Sequence, residues 1–338
     1  MATKTDLQPR ENRHSQSRQA RFYRWQRKWA PYIFISPFFI LYAIFGLFPL
    51  LFSAYLSFQK WNPVQGLGAM EFVGWDNYKF ILEFSRYNDF WPTLYNTFWI
   101  GIVSGLAQHL VAIPLAFILI LILKRWRHPF TVAYFLPFVT SVVAIALVFN
   151  TMFGTQFGII NHFLISLANW PLTSWAFGHL LENGTLPINW LGRKENIKPA
   201  LAILVFWRYF GWNMVLYTAG LATIPSEYYE AAKVDGANIF QQFWHISLPL
   251  VRPIMFFAIS LSIIGGMQLF EEPFILVGPQ GGVDNAGLTV AMYLYREGFD
   301  FNSMGTAAAV SWVLFVVISI LTAIQFLVAG RGGLETRE

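Results

Sequence analysis

The chain alternates long apolar blocks with short polar connections, and the blocks lack the half-apolar periodicity of elements that line a water-facing core. Six such blocks stand out, at about 31–58, 94–123, 129–153, 200–223, 250–277 and 305–329. Each is near or above the ~20 residues that cross a bilayer's hydrocarbon core as a helix. The blocks at 31–58, 129–153 and 305–329 contain no Asp, Glu, Lys or Arg, unlike a buried helix of a soluble protein. Arg208 interrupts the fourth block, and Arg252, Glu271 and Glu272 interrupt the fifth, so these two fit the pattern less cleanly. The pattern predicts an all-α integral membrane protein with six transmembrane helices.

Composition agrees, with 56% hydrophobic residues and 12% charged among 338, against roughly 25% charged in soluble domains. Residues 1–30 form a polar, basic arm, and the block after it is too long, and lacks the small-residue cleavage site, for a secretory signal peptide. Arg21 to Trp29 interleave rings with cations, which suits the headgroup level of the lipid bilayer. The net charge of +5 is mainly a topology signal. Lys4, Arg10, Arg13, Arg18, Arg21, Arg24, Arg27 and Lys28 in the arm, and Lys124, Arg125 and Arg127 after the second block, mark the cytoplasmic side. Six spans then place both termini in the cytoplasm, with the loop at 224–249 and the tail at 330–338, which holds Arg331 and Arg337. The loops near 59–93, 154–199 and 278–304 face outward. A pI of 9.3 does not imply nucleic acid here, because no soluble domain is present to display a basic patch. The absence of Cys removes disulfide and thiolate chemistry.

The loop at 224–249 is a polar island. Ser226 is placed to cap a short helix that carries Glu227 in its first turn and continues through Glu230, Ala231, Ala232 and Lys233. Gly236 supplies the left-handed residue that ends it. Asn238 and Gln241 have the spacing of a capping box for a second helix presenting Phe240, Phe243, Trp244 and Ile246, which Leu248-Pro249 should stop. With three acids and one Lys between 227 and 246, this elbow suits docking of a protein groove rather than DNA phosphates.

Read together, Glu230-Ala231-Ala232, Gly236, Ile246, Leu248 and Pro249 spell E-A-A-x3-G-x9-I-x-L-P, with Asp235 just before the glycine. This spacing resembles the cytoplasmic coupling motif of permease subunits of bacterial binding-protein-dependent ABC importers. The run from Ala219 to Ala237, Phe270 to Leu276, Gly281-Gly282, and Tyr293 to Phe299 followed by Met304 to Ala309 are similar to the carbohydrate-uptake branch, in particular to maltose-type and lactose-type first permeases. Gly278-Pro279-Gln280-Gly281-Gly282 departs from that branch's Gly-Gly-Pro order, and the outer loop near 172–188 is long. The resemblance implies a type-1 (MetI-like) permease core at 94–329 in the bacterial inner membrane. It further implies a heterodimer with a second permease, two ATP-binding subunits and an extracytoplasmic sugar-binding protein. The chain has no G-x-x-x-x-G-K-[ST] loop, so ATP and Mg belong to the partner ATPase, and this chain binds no cofactor and is not an enzyme.

The substrate path has candidates but no motif. Gly265-Gly266 can loosen the fifth block, and Gln268, Glu271 and Glu272 follow it; Arg208, Trp207 and Asn213 of the fourth block reach a similar depth. Intramembrane charges face a cavity or a partner. Two roles are open for them. Either Arg208 pairs with Glu271 or Glu272 to hold the bundle, or these groups line a sugar site. Other features have bland readings: Gly101 and Gly105 form a small-xxx-small pattern, His109 suits packing more than proton relay, and Asn183-Gly184-Thr185 fits a glycosylation sequon. Residues 158–169 suit a short surface helix, and 170–198 an outer loop that either meets a partner or caps the bundle. A stand-alone channel or secondary carrier is the competing class, though His109, Arg208 and Glu271 are sparse for a proton relay. A membrane enzyme lacks any H-E-x-x-H or nucleophile elbow.

Overall fold

The computed structural model describes residues 11–85, 88–182 and 184–333. Asn183 of the sequon, Lys4 and Arg10 of the arm and Arg337 of the tail lie outside the described residues. The chain divides into two compact units, residues 1–56 and 57–338.

The first unit is helical throughout its described length. Helix α1 (Glu11–Tyr42) passes through a π-turn at Ala43–Leu47 into α2 (Phe48–Leu56). Pro49 explains the π-turn: it has no N–H for the Phe45 carbonyl, and its ring pushes that carbonyl aside, so the helix widens by one residue instead of ending. Trp25–Leu56 is long and apolar enough to cross a membrane.

The second unit opens with a two-residue antiparallel ladder, β1 (Gln59–Lys60) against β2 (Glu71–Phe72), with Lys60 opposite Glu71. Helix α3 (Asp76–Leu82) is tied to it through Asn77, whose amide donates to the carbonyls of Ser57 and Gln59, both at 2.9 Å. Helix α4 (Phe90–Leu121) follows. Then come α5 (Arg127–Val139), α6 (Val142–Met152), the short α7 (Ile159–Asn169) and α8 (Ser174–Glu182), and the long α9 (Lys194–Ala222). The segment 158–169 is helical as its composition predicts, but 170–198 is not wholly loop, because α8 lies inside it and α9 starts at Lys194.

Two of the expected spans are bent. In the block at 129–153, α5 and α6 meet at 95°, because Thr140 and Ser141 are extended and Pro137 removes a hydrogen bond from the last turn of α5. In the loop at 224–249, α10 (Ser226–Val234) and α11 (Ile239–Gln242) are followed by a π-turn at Phe243–Ser247 and α12 (Leu248–Leu250). Leu248-Pro249 therefore does not stop the helix. As at Pro49, the turn before the proline widens, and the real break falls at Val251, where α13 (Arg252–Met267) departs at 69°. The block at 250–277 is likewise not one helix. Its helix ends at Met267, the Leu269 carbonyl is captured by the Thr289 hydroxyl at 2.6 Å, and α14 (Glu271–Val277) starts afresh. Short α15 (Val290–Tyr295) and long α16 (Met304–Gly333) complete the unit. Besides Trp25–Leu56, three helices, Phe90–Leu121, Lys194–Ala222 and Met304–Val328, are long and apolar enough to cross a membrane; counting each bent pair as one span gives up to six.

Helices α4 and α9 form the axis, with α5 laid on α9 and α13 on α4. Glycine makes two of these contacts possible. A Cβ at Gly211 would collide with the Tyr134 carbonyl of α5, and one at Gly266 would sit 3.2 Å from the Cα of Gly101. The small-xxx-small pattern of α4 is thus the face that receives α13. At the start of α4, Asp89 Oδ2 accepts from Arg296 Nη2 at 2.6 Å and from the Asn285 amide at 3.3 Å, which ties the segment around α15 to that helix. Beside this pair Glu297 is buried, and burial holds its carboxyl above the usual range, offset in part by the Tyr293 hydroxyl and Arg296.

Candidate functional site

The elbow is built from local turn chemistry. Helix α10 starts with Ser226 as its first residue and Pro225 as its cap, so Ser226 does not cap it as its residue type predicts. At its other end Ala237 N–H donates to the Ala232 carbonyl at 2.8 Å and Gly236 N–H to Lys233 at 3.1 Å, with Gly236 at φ +81. This is a Schellman cap with glycine at the left-handed position. Helix α11 starts on the expected capping box: the Asn238 and Gln241 side chains each accept from the other's backbone N–H, at 2.9 and 2.7 Å.

Long-range contacts then fix the elbow's angle. Tyr229 is buried, and its hydroxyl meets Ser247 Oγ at 2.8 Å, joining α10 to the far limb; burial raises its phenol pKa and the Ser247 bond offsets this. Phe243 packs edge-on against Phe117 of α4, centroids 5.0 Å apart, while Ile246 and Leu248 join the cluster around Tyr217, Leu221 and Val251. The aromatic face is therefore split, since Phe243 and Ile246 anchor the elbow and Phe240 and Trp244 stay exposed. Glu230, Ala231, Asp235 and Gly236 are exposed, and Ala232 and Pro249 half-buried. Ala232, Asp235, Gly236 and Ile246 share one open cleft of about 330 Å3 with Gln241 and His245.

A second cleft, of about 270 Å3, opens among α4, α5, α9 and α13. Its polar groups are Ser104, Gln108, Asn213 and Ser262, and its rings are Phe138, Tyr209 and Trp212. Asn213 donates to Gln108 Oε1 at 2.9 Å and to Ser262 Oγ at 3.5 Å, yet its own Oδ1 is buried and, among the described residues, without a partner. Phe138 stacks on Trp212 with centroids 4.6 Å apart, giving a flat wall. A buried, unsatisfied carbonyl costs roughly 1–3 kcal/mol. A hydroxyl donor in the cleft would relieve it.

Beside this cleft Glu272 is 2% exposed and accepts from Arg208 Nη1 at 2.6 Å and from the Tyr209 hydroxyl at 2.8 Å. Glu271 is exposed and 4.0 Å from the same guanidinium. The structure therefore pairs Arg208 chiefly with Glu272, and Tyr209 links that pair to the cleft. Trp207 packs on Phe149 at 5.3 Å, and Gln268 is exposed; neither lines the cleft, and of the sequence candidates Asn213 does. Ser104, Gln108 and Ser262 were the missed polar groups, each a single hydrogen-bonding side chain among apolar neighbours that carries no motif. His109 is engaged by the Tyr217 hydroxyl at 2.6 Å. Among the described residues no group of acids, Cys or His could hold a metal ion.

Residues 91–331 match the family described as binding-protein-dependent transport system inner membrane component. The chain belongs to that family and is the permease subunit of an ABC importer, a multi-pass membrane protein. Among individual relatives, it is 34% identical to the arabinooligosaccharides transport system permease protein AraP of Bacillus subtilis, over 90% of each chain. It is 32% identical to the lactose transport system permease protein LacF of Rhizobium radiobacter, over 88% of this chain and 93% of that one. A chain of the crystal structure of a bacterial alginate ABC transporter, in complex with a periplasmic protein bound to an alginate pentasaccharide, has the same fold at 21% identity. The TM-score is 0.71, covering 90% of this chain and 96% of that one.

Proposed function

We propose that the chain conducts a di- or oligosaccharide, delivered by an extracytoplasmic binding protein, across the bacterial inner membrane. It is the permease subunit of a sugar ABC importer that works with a binding protein and ATPase subunits, as in its relatives. In our reading it forms a heterodimer with a second permease on two ATP-binding subunits. Six spans, with each bent pair counted once, leave both termini, the arm at 1–30 and the tail at 330–338 cytoplasmic, and 94–329 is the permease core.

The observation that carries the reading is the elbow: a capped, acidic, exposed surface on a rigid mount, in a chain with no phosphate-binding loop of its own. Glu230, Ala231, Ala232, Asp235 and Gly236 form the surface offered to an ATPase, and Ile246, Leu248 and Pro249 set its mount. ATP and Mg act in the partner ATPase, and this chain contributes no catalytic group. Sugar passes the cleft at Asn213, where amides and a hydroxyl can meet sugar hydroxyls and the Phe138–Trp212 wall can cover a ring face. Arg208, Glu271, Glu272, Trp207 and Gln268 lie around that route.

The test is uptake and ATP hydrolysis by the reconstituted importer. Glu230→Ala and Gly236→Val should each lower both by about tenfold, within the usual range of coupling energies, with the binding protein's sugar affinity unchanged. Normal transport in both variants would remove the coupling role. Uptake that continued without the ATPase subunits would instead make the chain a stand-alone carrier.

A further inference from the structure

A third cleft lies apart from the elbow and the membrane cleft, where β1 and β2, the start of α3 and the turn at 301–306 come together. Its volume is about 500 Å3, within the ~300–1,000 Å3 typical of small-molecule sites. Such sites are usually apolar, and this one is mostly polar. Lys60 and Glu71 face each other directly across the ladder, where opposite charges ordinarily pair. Among the described residues neither enters an ion pair, and both are exposed. The side-chain amides of Gln65 and Asn302 are also without hydrogen bonds among the described residues. Two rings complete the walls. Trp61 is half-buried and locked by its Nε1–H, which donates to the Gly66 carbonyl at 2.9 Å, and Phe301 is exposed.

We propose that this cleft is a second carbohydrate site, on the extracytoplasmic face, holding one or two sugar units outside the membrane route. The assignment of ligand class rests on the sugar-import reading above. Sugar hydroxyls donate and accept at once, which suits a carboxylate, an ammonium and two free amides around one space; an apolar ring face of the sugar suits Trp61 and Phe301. A phosphate would meet Glu71 as a like charge. A peptide strand would need an edge to extend, and this ladder has two residues per strand.

The complete importer in nanodiscs, without binding protein, is titrated with lactose, maltotriose and arabinotriose by saturation-transfer NMR. At least one should bind saturably, and about tenfold more weakly in Gln65→Leu and in the double variant Lys60→Ala/Glu71→Ala. Asn213→Leu should keep this binding while losing uptake. Saturable binding by none of the three sugars in the wild type overturns the proposal. So does binding that Asn213→Leu removes and Gln65→Leu keeps, which belongs to the membrane cleft. Weaker capture of the purified binding protein by the Gln65 and Lys60/Glu71 variants, with sugar binding intact, makes the cleft a protein-docking surface and likewise overturns it. ATP-dependent uptake by the wild type is read separately, and its absence for every sugar is a failure of the import reading.

Discussion

A carboxylate buried to 2% exposure among apolar helices is tolerable only when its charge is answered, and Glu272 is answered twice, by Arg208 and by the Tyr209 hydroxyl. Removing Glu272 leaves the Arg208 charge with only the exposed Glu271, 4.0 Å away. Glu272→Gln should therefore destabilise the purified protein by roughly 3–5 kcal/mol, while the double variant Arg208→Met/Glu272→Leu should recover most of that loss. Thermal unfolding in detergent measures both, and equal losses in single and double variants would show that the pair is not a coupled unit. The sequence allowed Arg208 to pair with either glutamate. It could not choose, because neighbouring residues point about 100° apart on a helix, and the start of α14 depends on a break set by Thr289, twenty residues from the carbonyl it captures. Asn213 was legible as a polar residue in an apolar block, whereas Trp207 and Gln268 looked equivalent to the cleft residues until the rotation of α9 and the end of α13 were known.

Elements fared according to how local their causes are. The Gly236 cap and the Asn238–Gln241 box are satisfied by residues within five positions, and both were readable. The expectation at Pro249 failed for a tertiary reason. Proline was taken to end a helix at Pro249, but a helix anchored on both sides, by Phe243 on Phe117 and by Val251 in the same cluster, absorbs it by widening one turn. The tertiary mount that makes this worthwhile is invisible in the local sequence. The α4–α13 crossing rests on a different device, two glycines in contact. Gly266→Leu should push these helices apart and disturb the cleft at Asn213, which Gly101 and Gly266 line. We expect about tenfold less uptake at equal membrane abundance. A variant with wild-type uptake would mean that the close approach is dispensable.

At the scale of the second unit, the segment from Asn285 to Phe301 is tied to the start of α4 by Asp89–Arg296, with Glu297 buried beside it. The Glu297 carboxyl is held above its ordinary 4.5 by burial, against the opposing pull of Tyr293 and Arg296 and with a further push from Asp89. The folded chain thus keeps a proton that the unfolded chain has released. The stability from this group is fully present below pH 4.5 and is lost as pH rises through the folded value. Glu297→Gln should flatten the dependence of unfolding temperature on pH and gain on the wild type as pH rises. An unchanged slope would count against a raised pKa. The elbow has a consequence at the same scale. Phe117, which carries Phe243, lies nine residues along α4 from Gln108, about 14 Å by helical rise. Swinging α4 by about 10° about the elbow would displace Gln108 by some 2 Å, enough to break its hydrogen bond to Asn213. A helix hinged there would turn a small rotation at the elbow into a switch between made and unmade bonds at the cleft.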